Sequence, residues 1–216
     1  MENKTNCSPS MFSAPWLDGI STEAIDQLKS TALPLSLSSG RRFTDIGDTA
    51  DCLIGLRDGF VGIHTEDEQS QDVLAHILGP GNWFGVAAIL SDGTRLIGSS
   101  ALNDVQGLKI PKSAIESIAE KYPILWRGIA VLAVAGTQIA ISSGREKMIK
   151  SPIDRCAATF VRLVGHQPLP CRLPITQNQL AEICGLSRGA VAKALSVLED
   201  KGVIKRGYSS ITVIKT

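Results

Sequence analysis

The 216 residues carry 22 Lys+Arg against 21 Asp+Glu and are 44% hydrophobic, which excludes a disordered, collagen-like or low-complexity chain. The charge is unevenly placed: residues 1–150 hold 13 Lys+Arg and 17 Asp+Glu, residues 151–216 hold 9 and 4, so a mildly acidic body precedes a basic tail suited to a polyanion. Five scattered cysteines (Cys7, Cys52, Cys156, Cys171, Cys184) without C-x-x-C spacing exclude a zinc ribbon or thioredoxin motif and fit reduced, mostly buried residues in a cytoplasm.

The N-terminus, MENKTNCSPSMF, lacks the apolar core of a signal peptide; residues 1–15 read as a loose arm. Residues 16–30 predict a short amphipathic helix, with Trp16, Ile20, Ala24 and Leu28 at helical spacing. From about Leu35 to Ile110 short apolar runs (Asp51–Leu56, Phe60–His64, Asp72–Leu78, Leu96–Ala101) alternate with turn signals: Ile46-Gly47-Asp48, Arg57-Asp58-Gly59, Gly79-Pro80-Gly81 and Ser91-Asp92-Gly93. Such strands suit a sandwich or barrel-like roll.

Helical pattern returns at Pro111–Glu120 and then over Pro123–Ile149, a helix of roughly 40 Å. Pro123–Ser143 is long enough to span a bilayer, but it contains Arg127 and Gln138 and is flanked by sequence of folded, soluble character, so no membrane is expected. A long helix apolar on nearly all sides must cover its own domain and something else; the simplest partner is its copy in a second subunit. Leu125, Ile129, Leu132, Gly136 and Ile139 form the stripe expected at that dimer interface. Gly128, Gly136 and Gly144 recur in the helix, allowing either close packing or a helix poised near instability. Lys150-Ser151-Pro152 reads as a hinge, and residues 152–165 as a helix with Ile153, Cys156, Ala157, Phe160, Val161 and Val164 inward.

The strongest signal is ITQNQLAEICGLSRGAVAKALSVLEDKGVIKRG at 175–207. Thr176 caps a helix beginning at Gln177, Gly185 makes a tight turn, and Ser187 caps a second helix with Val191, Ala194, Leu195 and Leu198 inward. This is a helix-turn-helix, whose second helix can enter the major groove. Arg188, Gly189, Ala192, Lys193 and Ser196 face outward; Arg188 can fork to guanine and Lys193 can serve base or phosphate. Val203–Arg206 and Ile211–Ile214 alternate around Gly207-Tyr208-Ser209-Ser210, a hairpin wing whose Lys205 and Arg206 lie within reach of phosphates.

With Gly185-Leu186-Ser187-Arg188, Val191, Lys193 and Leu198-Glu199-Asp200 at the C-terminus, and Ile46-Gly47-Asp48, Gly59 and Gly81-Asn82-Trp83-Phe84-Gly85 in the body, the chain resembles the Crp/Fnr superfamily of bacterial regulators over roughly residues 30–214. The resemblance implies an α+β architecture. Residues 1–122 would be an effector-sensing antiparallel β-roll of jelly-roll type with an N-terminal helix, 123–150 a long dimerisation helix and hinge, and 151–216 a winged helix-turn-helix. It also implies a homodimer on a palindromic double-stranded DNA operator, working with RNA polymerase. Thr176, Gln177, Ser187, Arg188, Gly189, Lys193, Lys205 and Arg206 would then meet DNA.

The departures bear on the effector. Nucleotide-binding members carry a Glu where this chain has Val86, Arg-Ser where it has Arg95-Leu96, and a Thr-Ser pair where it has Ala140 and Ile141. Each lost polar partner of a buried ligand costs about 1–3 kcal/mol, which argues against cyclic AMP. Arg95 alone reads as an ion-pairing or surface residue rather than a phosphate ligand. Val86, Arg95, Leu96, Ala140 and Ile141 would line a less polar pocket, so control by another effector, or by none, is expected. Cys7 alone near the N-terminus is too few ligands for an iron–sulfur cluster, and His64, His76 and His166 give no basis for haem; no cofactor or metal is expected. Family members usually read a cytosine with a Glu at the position of Gly189 and carry Arg at that of Lys193, so the operator should differ from the usual family sequence. No G-x-S-x-G, H-E-x-x-H or phosphate loop is present and the histidines show no evident acidic or Cys partner, so no enzyme is expected. The competing reading is a sensor or adaptor acting through protein partners, against which Arg188, Lys193, Lys205 and Arg206 stand.

Overall fold

The computed structural model describes residues 11–49, 51–90 and 94–216; Cys7, residues 1–10 of the N-terminal arm and the Ser91-Asp92-Gly93 turn lie outside them. A 3-10 turn at Pro15–Leu17 precedes α1 (Thr22–Thr31). Trp16, Ile20, Ala24 and Leu28 are all buried, but they do not share one helix. Gly19 has φ +80°, a conformation that breaks a right-handed helix and favours glycine. Ser21 then restarts the helix by accepting from the Ala24 N–H.

Strands β1 (Leu33–Leu37), β2 (Arg42–Thr44), β3 (Cys52–Asp58), β4 (Val61–Glu66), β5 (Asp72–Leu78) and β6 (Trp83–Phe84), a short helix α2 (Val86–Leu90), β7 (Gly98–Ala101) and β8 (Val105–Pro111) form the roll. The two antiparallel sheets run β1-β8-β3-β6 and β2-β7-β4-β5. Inward residues of both, including Leu35, Leu37, Ile54, Leu56, Val61, Ile63, Leu78, Phe84 and Val105, make one core. β1 carries Pro34 and lies at a sheet edge, where a missing N–H is tolerated.

Helices α3 (Lys112–Lys121) and α4 (Leu125–Lys147) follow. Four of the five residues of the stripe expected to meet a second subunit instead face their own chain: Leu125 and Ile129 are completely buried with Leu28, Ile110 and Ile115, Leu132 packs on the same cluster, and Ile139 packs on the roll core, whereas Gly136 is exposed. The helix is left open on its other side, where Trp126, Val131, Val134 and Ile141 are exposed, Val134 by 57% and Ile141 by 58%. Periodicity found the apolar residues but not which neighbour each face meets.

The three α4 glycines also divide. A Cβ at Gly128 would run into the Trp16 carbonyl, whereas at Gly136 and Gly144 it would meet nothing within 4 Å in its own chain. Gly128→Ala should therefore destabilise by about 1–3 kcal/mol through overpacking. Gly144→Ala should stabilise by roughly 1 kcal/mol through helix propensity. Thermal unfolding of the two variants checks the opposite signs.

The C-terminal domain comprises α5 (Pro152–Val164), β9 (Cys171–Leu173), α6 (Gln177–Cys184), α7 (Arg188–Asp200), β10 (Ile204–Gly207) and β11 (Ser210–Val213). Ser151 caps α5 by accepting from the Asp154 N–H, and Pro152 occupies its first turn. Val161, expected inward, is exposed; Leu163 is buried in its place with Cys156 and Phe160. The wing is a three-stranded sheet, β10-β11-β9, because β9 adds to the expected hairpin. The roll and this domain touch directly. Leu74 and Ile77 of β5 belong to the same apolar cluster as Leu163, Leu180 and Leu195, the Glu182 carboxylate accepts from the Leu74 N–H at 3.1 Å, and Gln167 donates to the Pro80 carbonyl at 2.7 Å.

Candidate nucleic-acid interface

Local capping builds the reading head. Thr176 and Gln179 form a capping box: the Gln179 N–H donates to Thr176 Oγ1 at 3.2 Å and the Thr176 N–H donates to Gln179 Oε1 at 2.8 Å. Gly185 ends α6 in the left-handed region, φ +60° and ψ 45°. Ser187 Oγ then accepts from the Ala190 N–H at 3.2 Å to start α7. Val191, Ala194, Leu195 and Leu198 turn inward and are buried, while Arg188, Gly189 and Lys193 are exposed. Arg155, which sequence reasoning missed, ties α5 to the turn by donating to the carbonyls of Cys184 and Gly185 at 3.4 and 3.3 Å. It also donates to the Ile149 carbonyl, closing the hinge.

Thr176, Gln177, Asn178, Arg188, Arg206 and Tyr208 line an open cleft of about 300 Å³ between the start of α6, the start of α7 and the wing. Two guanidiniums and helix N-terminal amides at one concave surface attract a polyanion. Tyr208 and Ser209 form the wing tip between the paired Gly207 and Ser210. Lys205 is exposed beside Arg206. Arg206 is not a free cation. Glu199 accepts from its backbone N–H at 2.7 Å and from its Nε at 2.6 Å, and these bonds hold the Glu199 carboxyl below the usual carboxylate range. The pair fixes the wing against α7.

The five residues expected at an effector pocket stand in different surroundings among the described residues. Arg95 turns inward, 3.3 Å from Asp51 and 3.7 Å from the Cys52 sulfur. Val86 packs on the α1–α3–α4 core, while Leu96 is 73% exposed and Ala140 and Ile141 lie on the open face of α4.

His64 does have an acidic partner, contrary to expectation: Nδ1 is 3.0 Å from Asp72 and Nε2 is 2.7 Å from Ser100 Oγ. The order Ser–His–Asp is that of an acyl-transfer triad, but the geometry is not. The Asp72 carboxylate lies off the His64 ring N–H, leaving Nδ1 without a directed hydrogen bond, and is held by Arg42 at 2.9 Å. Ser100 sits inside a strand paired on both sides. The cluster is a charged patch on the sheet.

A second buried cluster joins the domains. Arg162 on α5 donates Nε and Nη2 to the Glu146 carboxylate at 2.8–3.0 Å and places Nη1 2.6 Å from His76 Nδ1 on β5. Thr159 donates to Glu146 at 3.0 Å. Burial, with Arg162 adding repulsion, drives the His76 pKa down from 6.5 to about 3, so the ring is neutral and accepts from the guanidinium. One sequence signal pointed here: Glu146 stands in the last turn of α4, where a carboxylate opposes the helix dipole unless a cation answers it.

Comparison with known proteins agrees with this architecture. Residues 34–122 match the Cyclic nucleotide-binding domain family and residues 154–216 the Crp-like helix-turn-helix domain family. The chain is 23% identical over 203 residues to the Cyclic AMP receptor protein of Thermus thermophilus, covering 94% of each. It is 23% identical to the CRP-like cAMP-activated global transcriptional regulator of Mycobacterium tuberculosis, covering 90% of each. Among solved structures, FixK2 from Bradyrhizobium japonicum superposes with a TM-score of 0.72 at 17% identity, over 84% of this chain and 92% of that one. The global regulator CLP from Xanthomonas campestris superposes with a TM-score of 0.70 at 16% identity, over 91% and 100%. A cyclic nucleotide-binding-type roll, a long connecting helix and a Crp-like helix-turn-helix in this order place the chain in the Crp/Fnr superfamily of DNA-binding transcription regulators.

Proposed function

We propose that the protein acts in the cytoplasm as a homodimer on a two-fold palindromic operator, with RNA polymerase as its partner at the promoter. It would be controlled by an effector other than cyclic AMP, or by none. The observation that carries this reading is α7 itself: its inner face is fully buried while Arg188 stands at the cleft to the wing and Lys193 is exposed farther along the helix. Two relatives are named for cyclic AMP. Against that ligand here stand Val86, Leu96, Ala140 and Ile141 in place of polar partners, and an Arg95 already engaged by Asp51.

The open apolar face of α4 supports the dimer. Leu125–Lys147 is long and apolar enough to cross a membrane by length and composition. However, the domains at its two ends pack on one another through β5, α5 and α6, and a bilayer between them would break those contacts. A second copy of the same helix covers the face without that cost.

Sequence selection from random DNA followed by a salt-dependent gel shift tests the reading. A specific, salt-sensitive complex is expected; binding indifferent to sequence would overturn it. On the selected operator Arg188→Ala should lose about 1–3 kcal/mol and relax preference at one position per half-site. Lys205→Ala should weaken specific and random DNA alike and flatten the salt slope by roughly one phosphate contact per wing.

A further inference from the structure

We propose that Arg162 is a positioning residue for operator binding, joining α4, the roll and the DNA-binding domain so that α7 is presented at one fixed angle; this role rests on the DNA-binding reading above. The guanidinium is shared among three elements. It arises from α5, grips Glu146 at the end of α4 with Nε and Nη2, and meets His76 of β5 with Nη1. The Arg162 and Glu146 side chains are only 6% and 10% exposed, so the fork is enclosed and its geometry is fixed by its surroundings. The chain of contacts continues: Thr159 donates to Glu146, and the Cys184 thiol at the end of α6 lies 3.5 Å from Thr159 Oγ1. From there Gly185 and Leu186 lead directly into α7. A planar fork can serve a carboxylate and an imidazole at once, whereas an ammonium cannot do so with the same directionality.

His76 is the roll's contribution to this fork. Its Nδ1 must be an acceptor, because Arg162 has only donors to offer, so the ring carries its proton on Nε2. Around this joint Arg162 of α5 meets the ring directly, Glu146 of α4 is reached through Arg162, Glu182 of α6 is held by the Leu74 N–H, and the paired strand β4 places Ile63 opposite His76. Removing the imidazole leaves Arg162 still paired with Glu146. The α4–α5 joint then stays closed, but the head loses one of the bonds that index it to the roll. His76 variants therefore separate positioning from folding, which Arg162 deletions do not.

A dimer with fixed heads accepts one spacing of half-sites, since each added base pair rotates and shifts one half-site against the other. The experiment uses the full-length protein, its selected operator, and the same operator with one base pair inserted or removed between half-sites. The parent protein should bind the original spacing best. His76→Phe, which fills the space without an acceptor, should bind that spacing about tenfold less tightly and discriminate less between spacings. Arg162→Lys should behave similarly, and His76→Gln, which keeps an acceptor, should recover most of the parent's discrimination. Unchanged spacing preference in His76→Phe would overturn the role. So would an equal loss on all spacings, which marks general destabilisation. If the parent selects no sequence at all, the DNA-binding reading fails first and this role with it.

Discussion

Val134→Glu should convert the protein to monomers at micromolar concentration and weaken operator binding by about 100-fold or more. Val134 lies on the open face of α4 with Arg127, Ala130, Val131, Ala135 and Gln138, which line a shallow groove along the helix. In a two-fold interface the substitution enters twice. Each carboxylate taken out of water there costs several kcal/mol of desolvation in a groove whose lining is otherwise apolar apart from Arg127 and Gln138. Loss of the dimer leaves one half-site per monomer and removes the second head's share of the affinity. Leu132→Glu should act differently. Leu132 packs against the chain's own Leu125–Ile129 cluster, so that substitution should lower the melting temperature before it alters the association state. Sedimentation of both variants and the parent separates the two effects. A parent protein that sediments as a monomer at the same concentration would overturn the dimer.

The contrast between these neighbours shows what the sequence made legible. The helix-turn-helix could be read residue by residue because its determinants are local: Thr176 and Ser187 cap within three residues, and Gly185 supplies the one left-handed turn. The inward positions of α7 follow from period alone. The orientation of α4 could not be read in this way. A helix with apolar residues on two faces has two equally periodic stripes, and only tertiary packing decides which faces the roll. The break at Gly19 was hidden because buried residues on both sides kept helical spacing across it. The roll's edge strand was obscured by Pro34, which weakens any strand signal. Arg206 looked like a free phosphate anchor until Glu199, seven residues earlier on another element, was seen to hold it. The joint of His76, Glu146 and Arg162 spans 86 positions of sequence, and nothing in residue spacing brings those three together.

That joint yields the other large effect. Arg162→Leu should destabilise the protein by about 3–5 kcal/mol, because Glu146 is left buried without its cation. The double variant Glu146→Leu with Arg162→Leu should recover most of the loss, since two apolar side chains of similar volume can replace a buried pair at little cost. Denaturant unfolding of the parent, both single variants and the double variant gives the coupling; additive losses would mean that the pair is not an energetic unit. His76 adds a dependence on pH whose sign is fixed. Unfolded, its imidazole binds a proton near pH 6.5; folded, it resists until about pH 3. The unfolded state therefore binds more protons between these values. The stability from His76 is complete above about pH 6.5 and is lost as pH falls toward 3, by up to about 1.4 kcal/mol per unit. Burial is the larger cause and the Arg162 charge the smaller, so the slope should persist largely intact in the Glu146→Leu, Arg162→Leu double variant, which leaves no unpaired carboxylate beside the ring, and disappear in His76→Gln. Unfolding midpoints measured from pH 7 to pH 4 test this order, and a slope that vanishes in that double variant would show that charge, not burial, sets the His76 proton affinity.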